Sequence, residues 1–354
     1  MASFRQTREC LMLAHADKLL NDEEFLLLYD MNTSKNRDYP YWNYESFQLE
    51  QLSNDECLTY FRFYRSDIYD TMEVLRIPEQ FTCCNGSVFS VLECFCAFLK
   101  RFAYPCRYAD MVPIFGRAVP ELSIMTNRIL DFMYDTHGHL LRSFNQAWLA
   151  PAELSSYADA VHQKGSPLNN CWGFVDGTVR PVCRPGNNQR VLYNGHKRVH
   201  AIKFQSIVAA NGLIANLYGP VEGKRHDSGM LAMSNIFPQL QLHSIRPNGD
   251  PLCIYGDMAY PLRANLKSRN LNQQQQDYNT AMSKVRTSVE WVFGDIVNYF
   301  SFLDFKKNMK IQLSAVGKMY IVCALLTNAR TCLYKNTTSS YFEIEPPHIN
   351  NYFT

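Results

Sequence analysis

The chain has 354 residues, enough for one large core or two moderate ones, and 35 Lys and Arg nearly cancel 33 Asp and Glu. A hydrophobic fraction of 47% with 13% aromatic residues fits a well-packed soluble protein. No apolar run approaches the ~20 residues of a membrane helix, and no apolar signal-peptide core follows Arg5, Arg8 and Glu9, so neither a membrane span nor secretion is expected.

The near-neutral total hides a strong asymmetry. Residues 1–60 hold 5 Lys/Arg against 11 Asp/Glu, whereas residues 176–225 hold 8 against 2. The second segment therefore offers a basic surface that a polyanion could use. The 12 cysteines include an adjacent pair, Cys83-Cys84, and a pair two apart, Cys94 and Cys96, but no CxxC. Zinc is not expected from such spacing, and buried free thiols in a reducing compartment are the better account.

In chain order, residues 1–51 read as an acidic helical region, interrupted by a polar and aromatic loop around Pro40. Residues 52–150 read as an all-α domain. Asn54 or Asp55 is placed to cap a helix running through Phe61 and Phe63 to about Tyr69. A second helix is expected over 88–102, with Val91, Phe95, Phe98, Leu99 and Phe102 on one face. A short helix over 108–115, Gly116, and a longer helix over 120–134 follow the pattern of a helix-turn-helix. Most such pairs only pack; if this one binds DNA, Arg117, Ser123, Asn127 and Arg128 are the residues able to reach it. Residues 151–167, polar and bounded by prolines, read as a junction.

From Cys171 strand signals dominate. CWGFVDGTVRP places Asp176 where an apolar strand should end, ahead of Gly177. Asp-Gly between apolar runs also reads as a hairpin turn. A strand over 199–208, Gly212 and a partner over 213–217 read as a hairpin, and GKRHDSGM leads into a helix opened by Asp227. The apolar run at 252–255 then ends in Gly256-Asp257, a second strand with Asp at its tip. A helix over 280–300 turns Val285, Val289, Val292, Phe293, Ile296 and Phe300 to one side and carries Glu290 beside that face. A core helix over 313–331 and a polar tail over 335–354 complete the chain.

Two Asp residues at adjacent strand ends and a Glu from a covering helix can converge on one point. Hard oxygen ligands of this kind suit Mg²⁺ or Mn²⁺. Two such ions about 3.5–4 Å apart would serve phosphodiester displacement. Each carboxylate also has an ordinary role available: Asp176 as a turn residue, Asp257 as a strand cap, and Glu290 as the i,i+4 partner of Arg286.

FVDGT, YNGHKRVHAIKFQ, KRHDS, YGDMAYP and RTSVEWVFG, in this order, resemble the PIF/Harbinger transposases and their domesticated relatives. The resemblance covers about residues 52–330, the helical part more loosely. It implies a DDE endonuclease domain over 168–334, an α/β, ribonuclease H-like mixed sheet with flanking helices, preceded by the helix-turn-helix-like region. It puts the acidic triad, and hence the two metal ions, on Asp176, Asp257 and Glu290. Supporting roles fall to His226, Asp227 and Arg286, and phosphate contacts to Lys197, Arg198, Lys203 and Arg225, although a solvated basic face would look similar. The implied activity is metal-dependent hydrolysis and strand transfer on double-stranded DNA in the nucleus, often beside a separate Myb-like DNA-binding protein. A domesticated, catalytically idle DNA-binding or adaptor protein of the same fold is the alternative. A general ribonuclease H-like nuclease is a third reading, and a homo-oligomer is left open.

Overall fold

The structure, a computed structural model, describes residues 4–32, 40–82, 88–257, 273–311 and 313–354, which divide between two units, Met1–Asn43 and Tyr44–Thr354. Cys83-Cys84, most of the loop expected before Tyr44, and residues 258–261 of the YGDMAYP element lie outside the described residues.

The first unit is a pair of helices, α1 (Phe4–Ala16) and α2 (Asp22–Met31). Asn21 and Glu24 close a reciprocal capping box at the start of α2, which satisfies two backbone N–H groups that the first turn leaves without partners.

The second unit opens with α3 (Asn54–Phe61), capped by Ser53 with Glu56, one residue ahead of the expected Asn54 or Asp55. The single helix expected to reach Tyr69 is broken: Arg62 adopts φ 69° and α4 (Arg65–Val74) starts afresh. The guanidinium of Arg62 holds the break by donating to the carbonyls of Tyr299 and Ala103, both at 3.1 Å. A two-stranded ribbon, β1 (Gln80–Thr82) and β2 (Val88–Ser90), takes the start of what read as one long helix. Helix α5 (Val91–Ala103) then buries all five residues of the expected stripe.

Helix α6 (Tyr108–Phe115), Gly116 and α7 (Val119–His137) follow in the expected order. Gly116 has φ +60°, and a Cβ there would lie 2.4 Å from the carbonyl oxygen of Glu45. The stretch expected to be a junction is instead α8 (Pro151–Gln163), which buries Leu154, Tyr157, Ala158 and Val161 and packs against the first strand of the sheet. Pro151 sits in the first turn, where a helix does not need its N–H.

That strand, β3 (Cys171–Pro181), is followed by α9 (Gln189–Leu192), β4 (Tyr193–Asn194), β5 (Val199–Ala209) and β6 (Ile214–Glu222). Helices α10 (Asp227–Met233) and α11 (Ile236–His243) lead to β7 (Cys253–Gly256). The five strands form one mixed sheet in the order β4-β5-β3-β7, with β6 also on β5; β3 and β7 run parallel and the other pairs antiparallel. Asp176-Gly177 is therefore no hairpin turn. The chain runs straight on to Pro181 because β5 supplies a partner for every residue from Gly173 onward.

Helix α12 (Gln273–Tyr299) lies against β3 and β7, and its expected stripe from Val285 to Phe300 is buried. Helix α13 (Val316–Tyr334) is tied to β6 by Asn328, whose amide oxygen accepts from Ile214 N–H and whose nitrogen donates to Ile214 C=O. The expected polar tail packs inward as α14 (Thr337–Phe342) and α15 (Ile349–Tyr352), burying Phe342, Ile349, Tyr352 and Phe353. The described cysteines are all free thiols.

Candidate active site

The site grows from the pairing of β3 with β7. Val175 and Gly256 are the last parallel partners, so Asp176, still on β3, and Asp257, just past the end of β7, follow the last rung together. Such strands lie ~4.8 Å apart, and residues in the same phase point to the same face. Asp176 is thus at the end of the parallel pairing although not at the end of its own strand, which continues beside β5.

Helix α12 brings the third carboxylate through an arginine. One Arg286 nitrogen, Nη1, donates to Asp176 Oδ2 at 3.2 Å and the other, Nη2, to Glu290 Oε1 at 2.9 Å. The side chains of Asp176 and Arg286 are 18% and 17% exposed, against 53% for Glu290, so the guanidinium ties a surface carboxylate to a nearly buried one. The i,i+4 pair that sequence spacing allowed is therefore present, but its cation is shared with the sheet.

Burial is the largest influence on Asp176 and pushes its pKa up. The Arg286 guanidinium and the N–H of Gly177, 2.8 Å from Oδ1, pull it back, while the charges of Asp257 and Glu290 push it up again. The charges of both other carboxylates thus reach Asp176. Hard oxygen donors in such a set suit Mg²⁺ or Mn²⁺. Among the described residues, however, no three His, Cys, Asp or Glu side chains gather closely enough to hold an ion, because Arg286 lies between two of them.

The expected supporting and phosphate-binding residues divide into two groups. Lys203 is buried, its ammonium donating to Asp227 at 2.6 Å and to the carbonyl of Arg225 at 2.9 Å, so it is a structural cation and not a free one. Asp227 opens α10 as expected and serves as that partner. Arg225 pairs with Glu222 at 3.1 Å, and Arg117 forms a two-point pair with the buried Glu93 at 2.8 and 2.9 Å. Lys197 and Arg198 stand exposed at the turn between β4 and β5, His226 is exposed ahead of α10, and Asn127 and Arg128 are exposed on α7. The Asn127 amide donates to the carbonyl of Ser123, and the Arg128 guanidinium lies over the Phe81 ring.

Sequence reading missed Ser206, fully buried and directly opposite Asp176 on β5, because only the strand register brings them together. It also missed the exposed Lys306, Lys307 and Lys310, whose close spacing in one loop was a usable signal. No curated protein and no solved structure matches the chain. Residues 175–328, from the last parallel rung of β3 to the middle of α13, match the family model described as DDE superfamily endonuclease.

Proposed function

We propose that the chain is a DNA endonuclease of the transposase type, with Asp176, Asp257 and Glu290 as its acidic triad. The observation that supports the reading most is the paired register of β3 and β7, which brings the backbones of Asp176 and Asp257 to one end of the sheet, with Arg286 of α12 linking Asp176 to Glu290. Those three residues would hold Mg²⁺ or Mn²⁺, one ion or two, once Arg286 is displaced from between Asp176 and Glu290, and the metal would then polarise a phosphodiester and activate its attacking oxygen. The chain's own contributions are separate. Burial keeps Asp176 out of bulk water, Arg286 holds Asp176 and Glu290 at its two nitrogens, and the exposed Lys197 and Arg198 would receive the phosphate backbone.

The finer reading is a PIF/Harbinger-like enzyme with a ribonuclease H-like sheet, strand transfer following cleavage, and a nuclear setting. It includes recognition of double-stranded DNA by the α6-α7 pair, where Asn127 and Arg128 remain exposed, and by Lys197 and Arg198 beside the sheet. A Myb-like partner protein belongs to the same proposal. The idle adaptor is the second reading. It is favoured by one feature: Arg286 already pairs with two of the three carboxylates and offsets one of their charges.

A nicking assay on DNA and RNA, with and without Mg²⁺, separates these readings. Asp176→Asn keeps the size of the side chain and removes the charge a hard cation needs. It should abolish Mg²⁺-dependent DNA cleavage while DNA affinity holds or rises slightly, one negative charge having left a site that faces phosphates. Cleavage by the variant at the wild-type rate removes Asp176 from the mechanism. A wild-type chain that never nicks DNA but binds it supports the adaptor.

A further inference from the structure

A cleft of about 280 Å³ opens between α7 and the segment running from Phe302 to Met319. It lies outside the acidic site. None of the described residues lining it is acidic, whereas Arg101 and Lys310 both are basic. Ser123, Asn127 and Asn308 add neutral polar groups.

Arg101 is the unusual member. Its guanidinium lies 4.5 Å from the Tyr108 ring centre and 4.2 Å from that of Phe302, so it is clamped between two aromatic faces. Its Nη1 is buried and has no hydrogen-bond partner among the described residues. Arg101 lines the cleft, so an anion there would be drawn to its charge. Lys310 is exposed at the rim, makes no ion pair among the described residues, and continues into Lys306 and Lys307 on the same loop. The size is at the lower end for ligand pockets, enough for a phosphate group and its sugar.

We propose that this cleft is a phosphate-binding subsite, with Arg101 as its fixed floor and Lys310 and Asn127 as its adjustable rim. Its ligand is a phosphate group on a sugar, either within a nucleic-acid backbone or as a free nucleotide. The proposal rests on the nuclease reading only for the first of these sources. It links the exposed face of α7 to the lysine loop and so gives a DNA strand a foothold that the acidic site does not supply.

The test uses the full chain in EDTA, so that no cleavage intervenes. Anisotropy of a short labelled duplex is followed across a salt series, and thermal shifts are measured with inorganic phosphate and with a deoxynucleoside monophosphate. Lys310→Gln and Asn127→Asp alter exposed side chains and should leave the fold intact; Arg101 is left alone because its packing would suffer. If the backbone is the ligand, Lys310→Gln weakens duplex binding several-fold and flattens the salt slope by about 0.9, the share of one phosphate contact. Asn127→Asp then weakens it further. If a free nucleotide is the ligand, duplex binding is unchanged but the stabilisation by nucleotide or phosphate disappears in both variants. If neither the duplex nor the small phosphates respond to either variant, the subsite does not exist. A chain that nicks DNA yet shows no response to Lys310→Gln in duplex binding or in either thermal shift loses the subsite and keeps the nuclease; a chain that never nicks but responds in any of them keeps the subsite alone.

Discussion

Burial pushes a carboxylate toward its neutral form and a nearby cation pulls it back, and two aspartates here differ in how that cation is held. Asp176 has its cation in Arg286, a nearly buried one. Arg286→Met should therefore leave Asp176 buried beside two other carboxylates and cost roughly 1–3 kcal/mol at neutral pH. The loss should shrink in mildly acidic buffer, where the raised pKa of Asp176 lets it take up a proton; urea unfolding at both pH values measures it. An equal loss at both would show that Arg286 acts by packing alone. Asp295 has a buried cation nearby in Arg330 but no hydrogen bond to it: burial pushes its pKa up to about 6 against the pull of Arg330, and its Oδ2 has no hydrogen-bond partner among the described residues. A carboxyl raised in the folded state adds stability that is complete below its ordinary value and is lost as pH climbs through about 6. Asp295→Asn should accordingly stabilise the chain by about 1 kcal/mol above that pH, less than the shift alone implies because part of the group meets solvent. The gain should vanish toward pH ~4, where both side chains are neutral. A destabilised variant at neutral pH would mean that the attraction of Arg330 outweighs the burial.

At the scale of elements, local periodicity was a good guide wherever one face meets one core. The stripes of α5 and α12, the β5-β6 hairpin and the helix opened by Asp227 were all legible, since each is written within a few turns or strand repeats. What escaped depends on residues distant in sequence. The break between α3 and α4 is held by carbonyls of Ala103 and Tyr299, and β3 runs past Gly177 only because β5 lies beside it. The Arg286–Asp176 contact spans 110 positions, whereas the Arg286–Glu290 contact was visible at four. The candidate site was accordingly legible as three carboxylates but not as an arginine-bridged set. The turn between α6 and α7 was read correctly from Gly116 and carries its own prediction. Gly116→Ala puts a side chain on a left-handed residue and against the Glu45 carbonyl, so it should cost about 2 kcal/mol or more. Denaturant unfolding reads that loss, and an unchanged midpoint would mean that the turn can relax to ordinary φ.

For the whole molecule, the distribution of the core decides which ends are dispensable. Among the described residues, every member of the buried apolar cluster lies between Leu49 and Phe353. Removing residues 1–43 therefore takes away none of the cluster, and the shortened chain should keep its cooperative melt. The C-terminal end is different, although its composition reads as a polar tail. Tyr352 is buried and accepts a hydrogen bond at 2.7 Å from Asn328, the residue that clamps α13 to β6. Thr338 donates to the carbonyl of Ser288 on α12, and Asn336 donates to that of Gly212 in the β5-β6 turn. The last segment thus ties the helix that carries Glu290 and the hairpin that supports β3 into one structure. Fully burying a large apolar side chain stabilises by about 1.5–3 kcal/mol, and the segment buries Phe342, Ile349, Tyr352 and Phe353. Losing them should cost more than about 5 kcal/mol, comparable with the whole stability of a typical domain. Deleting residues 335–354 is therefore expected to abolish the cooperative thermal transition seen by circular dichroism and to open the chain to limited proteolysis. A truncated chain that melts within a few degrees of the full one would show that the sheet and α12 hold together without it.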